Sequence, residues 1–178
     1  MLDNPLFSPA IHCDDRDGLF SFAIDNGGVV SSKHARLSKL PEWPDETIAI
    51  LCTDGGPHAI PITAPLRAAD RKILFALGCH RGSLRRLRIY PQVALLILGQ
   101  GDLAFTARGK ASIVQEPMLR APGFAAVLID VEVIDDHRLK GRAITSGAGL
   151  DWTRPCTERF LRGHIDTLRE IAANIPNN

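Results

Sequence analysis

The chain of 178 residues lacks any apolar run near the roughly 20 residues that a membrane-spanning helix needs, and its longest such run is Val93 to Leu98. Near the start, Asp3, Asn4, Asp14, Asp15 and Asp17 leave no room for the basic and apolar segments of a signal peptide. A soluble, cytoplasmic protein without membrane partners is the expectation. Cysteine is sparse and scattered: Cys13, Cys52, Cys79 and Cys156 include no close pair. That excludes a zinc ribbon, a Cys-x-x-Cys redox site and a disulfide framework, and reduced, mostly buried thiols are expected. The formal charge is only +1, so no global field steers the protein towards nucleic acid or membrane. The one dense basic cluster, Arg81, Arg85, Arg86 and Arg88, lacks the interleaved aromatics of a nucleic-acid surface.

Other absences narrow the chemistry. The chain has no phosphate loop of the Gly-x-x-x-x-Gly-Lys-Ser/Thr type, no Gly-x-Gly-x-x-Gly, no Gly-x-Ser-x-Gly elbow and no His-Glu-x-x-His. Histidines at 12, 34, 58, 80, 137 and 164 are never four residues apart, so no metal site is expected.

What is present is β-rich. Hydrophobic residues make up 45% and charged residues 23%, ordinary globular usage, and the length suits one domain. Residues 1–46 read as an irregular arm with one helical candidate, Ser32 to Leu40; residues 47–134 read as the core; residues 135–178 read as a loop and a helix. The spacing predicts six strands: Thr47–Thr53, His58–Leu66, Lys72–Leu77, Val93–Leu98, Leu103–Val114 and Phe124–Ile134. Asp54-Gly55-Gly56-Pro57 turns the first strand into the second, and Leu84 and Leu87 mark a short helix that Pro91 closes. In the fifth strand Phe105, Ala107, Gly109, Ala111 and Ile113 alternate with polar residues, so one face is buried. Leu161, Ile165, Leu168, Ala172 and Ile175 form the stripe of an amphipathic helix, with Thr153 or Thr157 as candidate cap and Pro155 in the first turn. The expected fold is mainly β, an antiparallel meander or barrel with peripheral helices.

Three motifs occur in a telling order: Asp54-Gly55-Gly56-Pro57-His58 at a strand-to-strand turn, Leu87 to Pro91 at the end of a short helix, and Gly109-Lys110-Ala111 in a later strand. Together they resemble the FMN-binding split β-barrel family related to pyridoxamine 5′-phosphate oxidase, over about Thr47 to Ile134. The resemblance implies a six-stranded split barrel, a homodimer with FMN at the subunit interface, and oxidoreduction of a small substrate. It implies that Ile60, Pro61, Ile62 and Thr63 line the flavin ring, and that the phosphate lies at the loop after the third strand. That loop holds Gly78, Cys79, His80, Arg81, Ser83 and Arg85, with Arg67 at a strand end as a further cation. Arginines can pair with a phosphate bidentately, Ser83 can cap the helix or bond an oxygen, and helix amides favour an anion.

The family's oxidases carry two cations on the second strand, where this chain has Ile60 and Pro65, and a Ser-Arg-Lys run where it has Arg81-Gly82-Ser83. Authentic pyridoxamine phosphate oxidation is therefore not what the resemblance implies. The competing reading is a binding, storage or sensing protein that holds flavin, deazaflavin or haem on the same barrel. No catalytic acid or base is assigned, because a flavin performs its own electron transfer.

Overall fold

In the computed structural model, which describes residues 35–101, 103–139, 141–148 and 153–176, seven strands form among the described residues. They are β1 (Ile48–Thr53), β2 (Ala59–Thr63), β3 (Leu66–Ala69), β4 (Lys72–Gly78), β5 (Gln92–Gly99), β6 (Leu103–Gln115) and β7 (Phe124–Asp136). Helix α1 (Gly82–Ile89) joins β4 to β5, and α2 (Pro155–Ala172) follows the sheet. All ladders are antiparallel, in the order β2-β1-β5-β6-β7-β4-β3. All of these residues belong to the compact unit Lys33–Asn178.

The β1–β2 hairpin follows from its turn, where Gly55 and Gly56 take φ of +82° and +114°, a region that L side chains rarely occupy. The single strand expected over His58 to Leu66 is instead two. Ala64 takes φ of +53° and Pro65 has no N–H to give a ladder, so the run breaks there. This break shapes the molecule. β2 pairs with β1 and β3 pairs with β4, so two strands linked only by Ala64-Pro65 form opposite edges of one sheet. The sheet must curl to bring its edges together, and β2 comes close to β4 with no ladder between them. The result is the split barrel that the resemblance implies, with seven strands in place of six.

Burial follows the pleat. Leu51, Ile73, Phe75, Leu95, Ile97, Phe105, Val127 and Ile129 fill the barrel interior, and Leu84 and Leu87 of α1 plug it from one end. β4 and β7 are also covered outside, where Leu74, Ala126 and Leu128 meet Met118, Ala121 and Leu168 of α2. Burial on both faces explains why Lys72–Leu77 is a near-continuous apolar run rather than an alternating one.

Two further expectations change. Of the helical candidate Ser32 to Leu40, the first three residues lie outside those described, and residues 35–40 contain no helix. Arg36 bridges Asp135, the Leu37 amide donates to the Ile134 carbonyl at 3.0 Å, and the Leu40 amide donates to Asp70 at 2.8 Å, so the segment lies along the sheet. The rest of the arm lies outside the described residues. Among the described cysteines, Cys52 and Cys156 are exposed and Cys79 is half-buried, all as free thiols. Cys52 is exposed because it falls on the outward side of the β1 pleat, between inward-facing Leu51 and Thr53.

Candidate functional site

The split between β2 and β4 is filled by a cavity of about 520 Å³. One wall is β2 with Ile60, Pro61, Ile62 and Thr63; the opposite wall is the end of β4 with Ala76, Leu77 and Gly78. Arg81 and Ser83 stand at the start of α1, and α2 covers the space with Thr157, Phe160, Leu161 and His164, joined by Thr153 and by Phe124 of β7. A volume of this size, lined by apolar and aromatic side chains together with Thr63, Arg81, Ser83, Thr153, Thr157 and His164, suits a heteroaromatic small molecule with polar substituents.

At the α1 end the local geometry is set by chain reversal. The Arg81 amide donates to the Gly78 carbonyl at 3.0 Å, and Arg81 then serves as N-cap in an extended conformation. No side chain caps α1 among the described residues; the Leu84 amide donates to the Arg81 carbonyl at 3.1 Å, which leaves the Gly82 and Ser83 amides for an anion. Ser83 does not cap the helix, because it is buried in the second helical position with its Oγ 3.0 Å from Nε2 of His58. That contact ties the β1–β2 hairpin to the floor of the cavity.

The arginines divide sharply. Arg86 donates to the Gly55 carbonyl at 3.0 Å, and Arg88 donates to Glu116 at 2.6 Å. Arg81 and Arg85 form no ion pair among the described residues, and of these two Arg81 lines the cavity whereas Arg85 is exposed on α1 outside its lining. Arg67 is engaged elsewhere: its Nε donates to the Leu40 carbonyl at 3.1 Å and its guanidinium pairs with Asp70. Cys79, whose amide donates to Gly123 at 2.9 Å, and exposed His80 also lie outside the lining. Among the described residues no cluster of three metal-binding side chains occurs.

The roof contains residues that the sequence reading did not single out. Phe124, Phe160 and His164 form an edge-to-face group, with the His164 ring centroid 4.2 Å from that of Phe124 and 4.3 Å from that of Phe160. His164 is buried, and desolvation pushes its pKa below the ordinary histidine value against the opposing pull of the Phe160 carbonyl. A signal for it existed. His164 is three residues after Leu161 and four before Leu168, on the stripe already read as a buried helix face.

No protein-family model matches the sequence, and no curated protein sequence matches it. Solved structures do. A Clostridium acetobutylicum protein of the pyridoxinephosphate oxidase family, related to general stress protein 26, is similar at 13% identity over 55% of this chain and 83% of that one, with a TM-score of 0.45. The general stress protein 26 of Bacillus anthracis is similar at 14% identity over 56% of this chain and 89% of that one, with a TM-score of 0.43. A haem-binding protein from Mycobacterium smegmatis is similar at 17% identity over 57% of this chain and 53% of that one, with a TM-score of 0.43. Each likeness spans little more than half of this chain.

Proposed function

We propose that the cavity between β2 and β4 binds FMN and that the protein is a flavin-dependent oxidoreductase acting on a small substrate. The observation that carries this reading is the convergence on one cavity of an apolar strand wall, Ile60–Thr63, with an uncapped helix start bearing an unpaired arginine and a buried hydroxyl. The donor set fits the group. Arg81, Ser83 and the first amides of α1 are anion donors, and the Cβ position of Gly82 has nothing within 4 Å, so a phosphate can approach the backbone there. FMN, when bound, supplies reversible hydride and electron transfer.

The chain's own residues bind, orient and exclude water. β2 offers a flat wall for a ring system, and Pro61 has no N–H, which leaves that edge position without a donor. α2 covers the opposite side of the cavity and would shield a bound ring from solvent. Where the family's oxidases carry two cations, this chain has Ile60 on β2 and Pro65 at the break after it, so an FMN phosphate would depend on the α1 start. The test is a flavin titration of wild-type and variant protein. Arg81→Ala weakens FMN binding by about 1–3 kcal/mol, the range for a lost charge-assisted bond, whereas Arg85→Ala leaves it within error. Equal affinity of wild type and Arg81→Ala would place the phosphate elsewhere.

A further inference from the structure

His164, in the wall of this cavity, has one ring nitrogen without a hydrogen-bond partner. The residue is 2% exposed. Nδ1 lies 2.7 Å from the carbonyl oxygen of Phe160, one turn earlier on α2. A carbonyl can only accept, so Nδ1 carries the hydrogen; burial disfavours a second proton, and Nε2 is left with its lone pair. That lone pair has no hydrogen-bond partner, one of only three such buried side-chain positions found among the described residues. Buried acceptors are nearly always satisfied, and one that is not calls for an explanation.

The surroundings supply one. Thr53 and Gln115, the other two, do not line this cavity, whereas His164 does. The ring packs edge-to-face against Phe124 and Phe160, and neither offers Nε2 a hydrogen bond. Nε2 is itself enclosed, and Phe160, 49% exposed, is the neighbour that must shift for a ligand in the cavity to reach it. A tautomer set by the Phe160 carbonyl and an acceptor without a donor describe a site that waits for an N–H.

We propose that His164 is a positioning residue for the bound ring, accepting at Nε2 a hydrogen bond from a ring N–H of the ligand. The inference rests on the flavin reading above. Oxidised isoalloxazine has a single ring N–H, at N3, and that is the donor it assigns. His164 then selects for a heteroaromatic ring with an imide-type N–H over one in which that position is blocked.

The experiment compares FMN with 3-methyl-FMN, in which this hydrogen is replaced, by fluorescence titration of ligand-free wild-type protein, His164→Gln and His164→Phe. Wild type binds FMN about 10-fold more tightly than 3-methyl-FMN, as expected for one lost buried hydrogen bond. His164→Gln, which keeps an acceptor, retains a preference, and His164→Phe brings the two ligands within about twofold. Wild type that binds both flavins equally overturns the inference without any variant, and so does an unchanged preference in His164→Phe, while the flavin reading stands in both cases. Wild type that binds neither flavin overturns the flavin reading and this inference with it.

Discussion

Gly109 has no room for a side chain. A Cβ there would stand 2.0 Å from the carbonyl oxygen of Asp130 and 2.9 Å from the Cα of Val131, both backbone atoms that cannot swing away. The β6–β7 register shifts between Arg108 and Gly109, which brings the two strands into this close approach. Gly109→Ala is expected to cost about 1–3 kcal/mol of stability or more, read from the urea midpoint; an unchanged midpoint would contradict the packing described. The Gly-x-Ala motif was legible in the sequence, whereas its cause, a carbonyl from a strand some twenty positions away, was not. His164 makes a second prediction at this scale. Because burial lowers its pKa, the unfolded chain binds a proton that the folded chain does not, so its contribution is complete above the ordinary value of 6.5 and is lost as pH falls below it. Urea unfolding at pH 7.5 and pH 5.5 should show wild type losing more stability on acidification than His164→Gln; equal losses would show that the ring is not held neutral.

Elements are explained by what covers them. β4 and β7 are apolar on both faces because the barrel interior lies on one side and α2 on the other, and Leu168, 2% exposed, is the buried leucine of α2 in that contact, with Ile171 and Ala172 beside it. Leu168→Ala should cost about 2–5 kcal/mol by thermal or urea unfolding, and a loss below about 1 kcal/mol would mean that α2 is not part of the folded unit. The helix itself was legible from the step of its apolar residues, and Pro155 does sit in its first turn. Its cap was not legible, because Arg154 occupies that position with no side-chain bond and neither threonine serves. The break at Ala64-Pro65 was hidden for a related reason. His58 to Leu66 reads as one apolar stretch, and what divides it is a positive φ at an alanine, which local propensity disfavours and the closure of the sheet imposes.

At the scale of the whole molecule, the barrel stays split because its two edge strands are joined by two residues and not by a ladder, and the cavity is the consequence of that incomplete closure. The mainly β barrel was legible from turn residues and strand periodicity, and part of the cavity lining, Ile60 to Thr63 with Gly78, Arg81 and Ser83, was named by resemblance, whereas Cys79 and His80 fall outside it. The α2 side was not legible, since a helix stripe carries no mark of whether it faces core, cavity or partner. Much of that stripe is spent within the chain, with Leu168 packed on Leu74 and Leu128. Part of the apolar surface left over lies on the outer face of β1 and β5, where Ile50, paired with Leu96, is 37% exposed and Leu98 is 48% exposed. We propose a homodimer that buries this face. Light scattering should give the mass of two chains for wild type and of one chain for Leu98→Asp, and a monomeric wild type would contradict the dimer. The central claim, that the split holds FMN, is tested most directly by the absorption spectrum of the purified protein together with the identity of what heat releases from it. The account predicts a yellow protein with flavin bands that releases FMN, or a colourless one that takes up added FMN to the same spectrum; a Soret band, or a colourless protein that refuses added FMN, would contradict it.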